Sequence, residues 1–133
     1  PVGVATAIAR VRVFGGCRSG VAAVSDYRAG KVVATAPIGA GTDGAGFDAA
    51  SGNVFASNAD GTLTVMHQDS PDTYHVVQTL KTMTASRNMT VDPISHALYI
   101  AGAKFEALAA GAPAGSRPKV IAGSFVVLVV EKK

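Results

Sequence analysis

The chain has 133 residues, 48% hydrophobic and 16% charged, a balance that excludes disorder over its whole length and suffices for one folded unit. Its longest wholly apolar run, residues 125–130, falls far short of the ~20 residues a membrane helix needs, so no membrane span is expected. The net charge of +3 invites a nucleic-acid partner, but residues 41–80 hold no Lys or Arg, Trp is absent, and no basic–aromatic stripe is present, which argues against one.

In chain order, the first predicted strands cover residues 12–16, 21–25 and 31–36, short alternating runs rich in Val and Ala. Cys17 closes the first of them and is expected in the core, as small cysteines beside apolar runs are. Being the only cysteine, it excludes an internal disulfide and a cysteine-based zinc site. The next strands cover residues 45–47, 53–58, 62–67 and 75–79. Between them lie an Ala50-Ser51-Gly52 turn, an Asp60-Gly61 corner that supplies the positive φ of a tight hairpin, and a Ser70-Pro71-Asp72 loop. The last strands cover residues 89–91, 97–101 and 125–130, the final pair separated by an Ala-, Gly- and Pro-rich insertion at residues 104–122. That insertion reads as a surface excursion, or as a loop carrying function on a rigid scaffold.

The elements repeat. Gly3, Val13, Phe14, Gly20 and Val24 recur 41 positions later as Gly44, Val54, Phe55, Gly61 and Val65. Phe47-Asp48 and Val54-Phe55 recur 44 positions later as Val91-Asp92 and Leu98-Tyr99. Periods of this size mark propeller blades or helical arrays, and the local alternation with period two excludes helices. The fold expected is all-β: one β-propeller-type domain whose blades of four antiparallel strands cover about residues 1–40, 41–84 and 85–133. The last unit stops after its third strand. The first is eroded where the repeat expects Asp and has Ala7, so residues 1–12 are expected to be irregular. Three blades are too few for a closed ring, which needs roughly four to eight. The chain is therefore expected either to join the remaining blades of a larger propeller or to form a homo-oligomer, because bare blade faces and strand edges promote association.

The phrases GKVVATAPIG at residues 30–39, GNVFASN at 52–58, DGTLTV at 60–65 and MTVDP at 89–93 resemble the YVTN family of bacterial and archaeal β-propellers, which includes the YncE-like proteins. GSFVVLVV at 123–130 is similar to the closing strand of such a protein. The resemblance implies a bacterial, exported, periplasmic or surface-attached binding protein. It carries no general catalytic motif, and residues 1–3, Pro-Val-Gly, contain no leader that would place the protein.

No nucleophile–base spacing stands out, so no catalytic residue, metal ligand or cofactor is assigned. Asp48 and Asp92 recur at equivalent positions. They read either as carboxylates near a channel mouth, able to bind a cation or act as a base, or as fasteners of the turn that follows, which the repetition favours. With Asp43 and Arg87 they form the candidate ligand-binding set. Residues 67–75 hold two His and two Asp in a loop without a recognised metal spacing, and His96 is expected to stand alone in solvent. Phe125, Val127 and Val129 are the candidate interface residues. The leading expectation is a non-enzymatic scaffold that works through self-assembly or a protein partner. Two alternatives stay open: an enzyme or oxidoreductase-associated propeller with a ligand at the central channel, and a DNA-binding propeller.

Overall fold

The computed structural model describes residues 2–132 and, among them, holds eleven strands in three antiparallel sheets. The first sheet comprises β1 (Gly3–Ala7), β2 (Arg12–Cys17), β3 (Val21–Asp26) and β4 (Lys31–Pro37), in that order. The middle sheet comprises β5 (Thr42–Asp48), β6 (Asn53–Asn58), β7 (Thr62–Ser70) and β8 (Thr73–Lys81), again in order. The last sheet has β9 (Asn88–Val91), β10 (Leu98–Gly102) and β11 (Val126–Val130), in the order β11-β10-β9, so that β11 is an edge strand among the described residues. Sequential order within each sheet, with antiparallel connections that are short except for the insertion between β10 and β11, is the construction of a propeller blade.

The repeated glycines have two separate causes. Gly20 and Gly61 take φ of +83° and +87° at the β2–β3 and β6–β7 corners, a conformation that costs other residues 1–2 kcal/mol or so, about the αL penalty. Gly3 instead allows a close approach: a Cβ there would lie 2.8 Å from the Ala45 backbone nitrogen. The inner strands β1 and β5 thus approach most closely at Gly3, and the alanines Ala5 and Ala7 keep the rest of β1 near β5.

The middle sheet presents one face to the first sheet and the other to the last. At the second strand this division is carried by adjacent residues. Phe14 packs toward the middle sheet, in a cluster with Ala22, Val24, Val54 and Met66. Its ring lies 5.3 Å from Phe47 and meets Tyr74 edge-on at 5.6 Å, distances at which aromatic pairs attract. Val54 faces back into this cluster, whereas its neighbour Phe55 faces forward into a second cluster with Leu63, Val65, Leu98 and Ile100. The middle sheet is therefore apolar on both faces because both are covered. Period-two alternation on a doubly buried sheet gives the near-continuous burial seen along β6 and β7.

Three expectations need correction. Residues 3–7 form a regular strand despite the missing Asp, since β1 pairs with β2 from Gly3↔Gly16 to Ala7↔Arg12 and packs on β5. The corner that Asp would fasten becomes a 3-10 turn, Ile8–Arg10, closed by a left-handed Val11. Pro1 lies outside the described residues. Cys17 is half-exposed rather than core: it pairs with Val21 on the face of the first sheet that has no neighbour. The segment expected as a loop at residues 67–75 is mostly strand, because bulges at Val65/Met66 and Gln68/Ser70 let β7 and β8 pair down to Ser70↔Thr73. Of the insertion, only the base is zipped: Phe105 bridges Val120, and the Ile121 amide donates to the Lys104 carbonyl at 2.9 Å.

Candidate functional site

The inner strands distribute the four candidate ligand residues to two ends. Asp43 is the second residue of β5 and Asp48 the last, so the two carboxylates are separated by about five residue rises, near 17 Å. At one end Asp43 meets Arg18 (Oδ1–Nη2 3.4 Å) and Arg87 (Oδ2–Nε 3.7 Å). Asp43 and Arg87, with Asn88, Phe105 and Phe125, line a shallow cleft of about 200 Å³. Two guanidinium groups on one carboxylate leave this mouth positive. The Arg87 carbonyl accepts from the Ser57 hydroxyl, which fixes the segment leading into β9 against the middle sheet.

At the opposite end Asp48 and Asp92 hold their own corners. Asp48 accepts from the Ala50 amide (3.2 Å), the Ser51 amide (3.3 Å) and the Ser51 hydroxyl (2.5 Å). Asp92 accepts from the Ile94 amide (2.9 Å) and the Ser95 hydroxyl (2.6 Å), the same arrangement one unit later. Burial works against the charged form of Asp48, but the bonds from Ser51, His96 and Ala50 outweigh it and hold its pKa below the ordinary carboxylate range. The Ser95 and Ile94 bonds lower Asp92 in the same direction. His96 does not stand alone: its Nδ1 lies 3.0 Å from Asp48 Oδ1, which links the corners of the middle and last sheets. The structure thus pairs Asp43 with Arg87 and links Asp48 to the Asp92 turn through His96, but does not gather the four.

The interface candidates lie together on one surface. By register, Tyr99 stands opposite Val129 and Ala101 opposite Val127, so these four share the forward face of the last sheet, with Thr90 of β9. Phe125 lies just beyond, in the cleft beside Arg87. Tyr99 occupies the repeat position of Phe14 and Phe55, which are 1% and 7% exposed; it is 38% exposed. At the other end of the stack, Val4, Val13 and Val21 share the backward face of the first sheet, with Val32 of β4 opposite Ser25. Val4, Val21 and Val32 are all exposed. A larger cleft of about 930 Å³ runs between β8 and the end of β11, lined by Leu63, Val77, Leu80 and Val130 and reaching Asp48 and His96 at one end.

One residue that organises the molecule escapes a reading by motif. Arg12 is buried, and its guanidinium donates to Asp26 Oδ2 (2.9 Å), to Asp72 Oδ1 (2.5 Å), and to the carbonyls of Pro71, Val11 and Arg10. It clamps the outer turn of the middle sheet to the corner of the first. The register partner Asp26 was a local signal; Asp72, 60 positions away, was not. His75 pairs with Asp69 at 2.6 Å and His67 with Asn53 at 3.1 Å. Among the described residues no three His, Cys, Asp or Glu side chains gather at one point.

The surface found here is that of a propeller-type stack with two uncovered ends, and comparison with known proteins agrees on the fold. No family model and no curated protein matches the chain. Among solved structures it is similar to the hydrazine synthase of Kuenenia stuttgartiensis, a protein that contains a β-propeller, with a TM-score of 0.68 and 13% identity over 77% of this chain. The chain spans about 29% of that protein's length. At that identity the likeness shows the fold alone.

Proposed function

We propose that the chain is a non-enzymatic propeller-type scaffold that works by association through its bare sheet faces. The observation that carries this reading is Tyr99. The position buries an aromatic ring in both preceding units and leaves one uncovered in the last, beside Val127 and Val129. An uncharged β-branched face of this kind is a surface that seeks cover. Sedimentation velocity tests it: the wild-type chain should sediment as an assembly, and Val127→Asp with Val129→Asp should sediment as a folded monomer. A wild-type monomer at every concentration would end the reading.

The finer assignment, to a YVTN-type, bacterial and exported propeller, is supported by the phrases at residues 30–39, 52–58, 60–65 and 89–93 and by their turn chemistry. A periplasmic or surface fraction of the source cells is where the protein would then be found. A second reading, a small-anion site at the mouth formed by Arg18, Asp43 and Arg87, is supported by the excess positive charge beside a cleft. Arg87→Ala should abolish any anion binding there without changing the sedimentation of the chain.

A further inference from the structure

We propose that the two bare faces are the halves of one heterologous interface, so that the last sheet of one copy stacks on the first sheet of a second copy. This rests on the assembly reading above and adds its partner and its polarity. The template lies inside the chain, which makes the same kind of contact twice. In each contact a forward face meets a backward face, and at the second strand an aromatic ring joins a cluster with a branched aliphatic residue: Phe14 with Val54, and Phe55 with Leu98. The next ring in the series is Tyr99, and the aliphatic residue lacking a ring is Val13, the repeat counterpart of Val54.

Head-to-tail stacking brings Tyr99 to Val13 of the second copy and continues the series. Like-on-like stacking would instead set Tyr99 against Tyr99 and Val13 against Val13, a pairing the chain makes nowhere. Charge offers no obstacle, since among the described residues the strands place no charged side chain on either face: Val4, Thr6, Val13, Cys17, Val21 and Ser25 lie on one, and Asn88, Thr90, Tyr99, Ala101, Val127 and Val129 on the other. One difference from the internal contacts is specific. Asn88 and Thr90 stand where the middle sheet has Gly44 and Gly46, so the copies cannot approach as closely at their inner strands. The contact therefore centres on the second and third strands, on Tyr99, Val127 and Val129. Two copies joined this way twice carry six sheets, within the range of roughly four to eight at which propellers close, and cover all four bare faces with two equal contacts.

Complementation tests the polarity. One variant, Val4→Asp with Val21→Asp, loses the backward face; another, Val127→Asp with Val129→Asp, loses the forward face. All four positions are exposed, so both should keep a β-sheet circular-dichroism spectrum. If either loses it, serine replaces aspartate in both. Each variant alone should have the mass of one 13.4 kDa chain, and an equimolar mixture should double that mass by joining one intact half from each. A wild-type oligomer whose variants fail to complement, or a single variant that still pairs with itself, overturns the head-to-tail contact while leaving the assembly reading in place. A wild-type chain that is a folded monomer overturns both.

Discussion

The middle and last sheets are made of the same repeat, yet one is covered on both faces and the other on one. In the middle sheet, Val54 and Met66 are buried against the first sheet, and Phe55, Leu63 and Val65 against the last. In the last sheet, Leu98 and Ile100 are buried, but Val127 and Val129, equally apolar, face outward beside Tyr99, whose ring carries one hydroxyl. The difference teaches that apolar content follows the repeat, whereas burial follows the neighbours. Stability should therefore concentrate in the middle sheet and association at the ends.

The largest effect should come from Leu63, fully buried between the middle and last sheets. Leu63→Ala should lower stability by about 3 kcal/mol through lost transfer energy and a cavity, measured by urea denaturation. Val129→Ala, at a position exposed in the single chain, should change it by less than about 0.5 kcal/mol when both substitutions are compared in the monomeric Val4→Asp, Val21→Asp chain. Equal losses at the two sites would erase the distinction between the sheets.

Next in size is Gly46→Ala, on the inner strand of the middle sheet. Its Cβ would lie 2.6 Å from Val91 Cγ2, so the Val91 side chain or the strand that carries it must shift, at about 1–3 kcal/mol in the same titration. Arg12→Ala should lower the denaturation midpoint further than alanine at the exposed Arg28, because it leaves Asp26 and Asp72 without their shared cation. An Arg12 variant as stable as the Arg28 one would show that the clamp between the first and middle sheets contributes nothing.

The smallest effect is a pH dependence. The folded Asp48 carboxyl titrates below its unfolded value, so its contribution is complete above about pH 4 and disappears as pH falls through the folded pKa. Denaturation midpoints between neutral and acidic pH should fall more steeply for the wild-type chain than for Asp48→Asn. Parallel curves would remove Asp48 and His96 as a fastener between the two corners.

Much of this architecture was legible because its signals are local. The Gly20 and Gly61 corners and the bounds of β6 are written in turn residues and alternation. Asp48 and Asp92 were visible as a repeated pair, and the serine three residues beyond each, Ser51 and Ser95, names the turn they hold. What stayed hidden depends on distant neighbours. Cys17 follows the buried Gly15 and Gly16 along β2, but its side chain lies on the face of the first sheet turned away from the middle one. Asp43 and Arg87 meet through the packing of β5 against β9, and Arg12 reaches a turn of another sheet. The first strand was obscured by a single substitution, Ala7, whose missing carboxylate is replaced by a 3-10 turn and a left-handed Val11.

The most direct measurement is the native mass of the wild-type chain by size-exclusion chromatography with light scattering. A stack with two uncovered apolar ends should give a mass at least double that of one 13.4 kDa chain, across the accessible concentrations. A cooperatively folded species of 13.4 kDa alone would show that these faces need no cover, and would contradict the account.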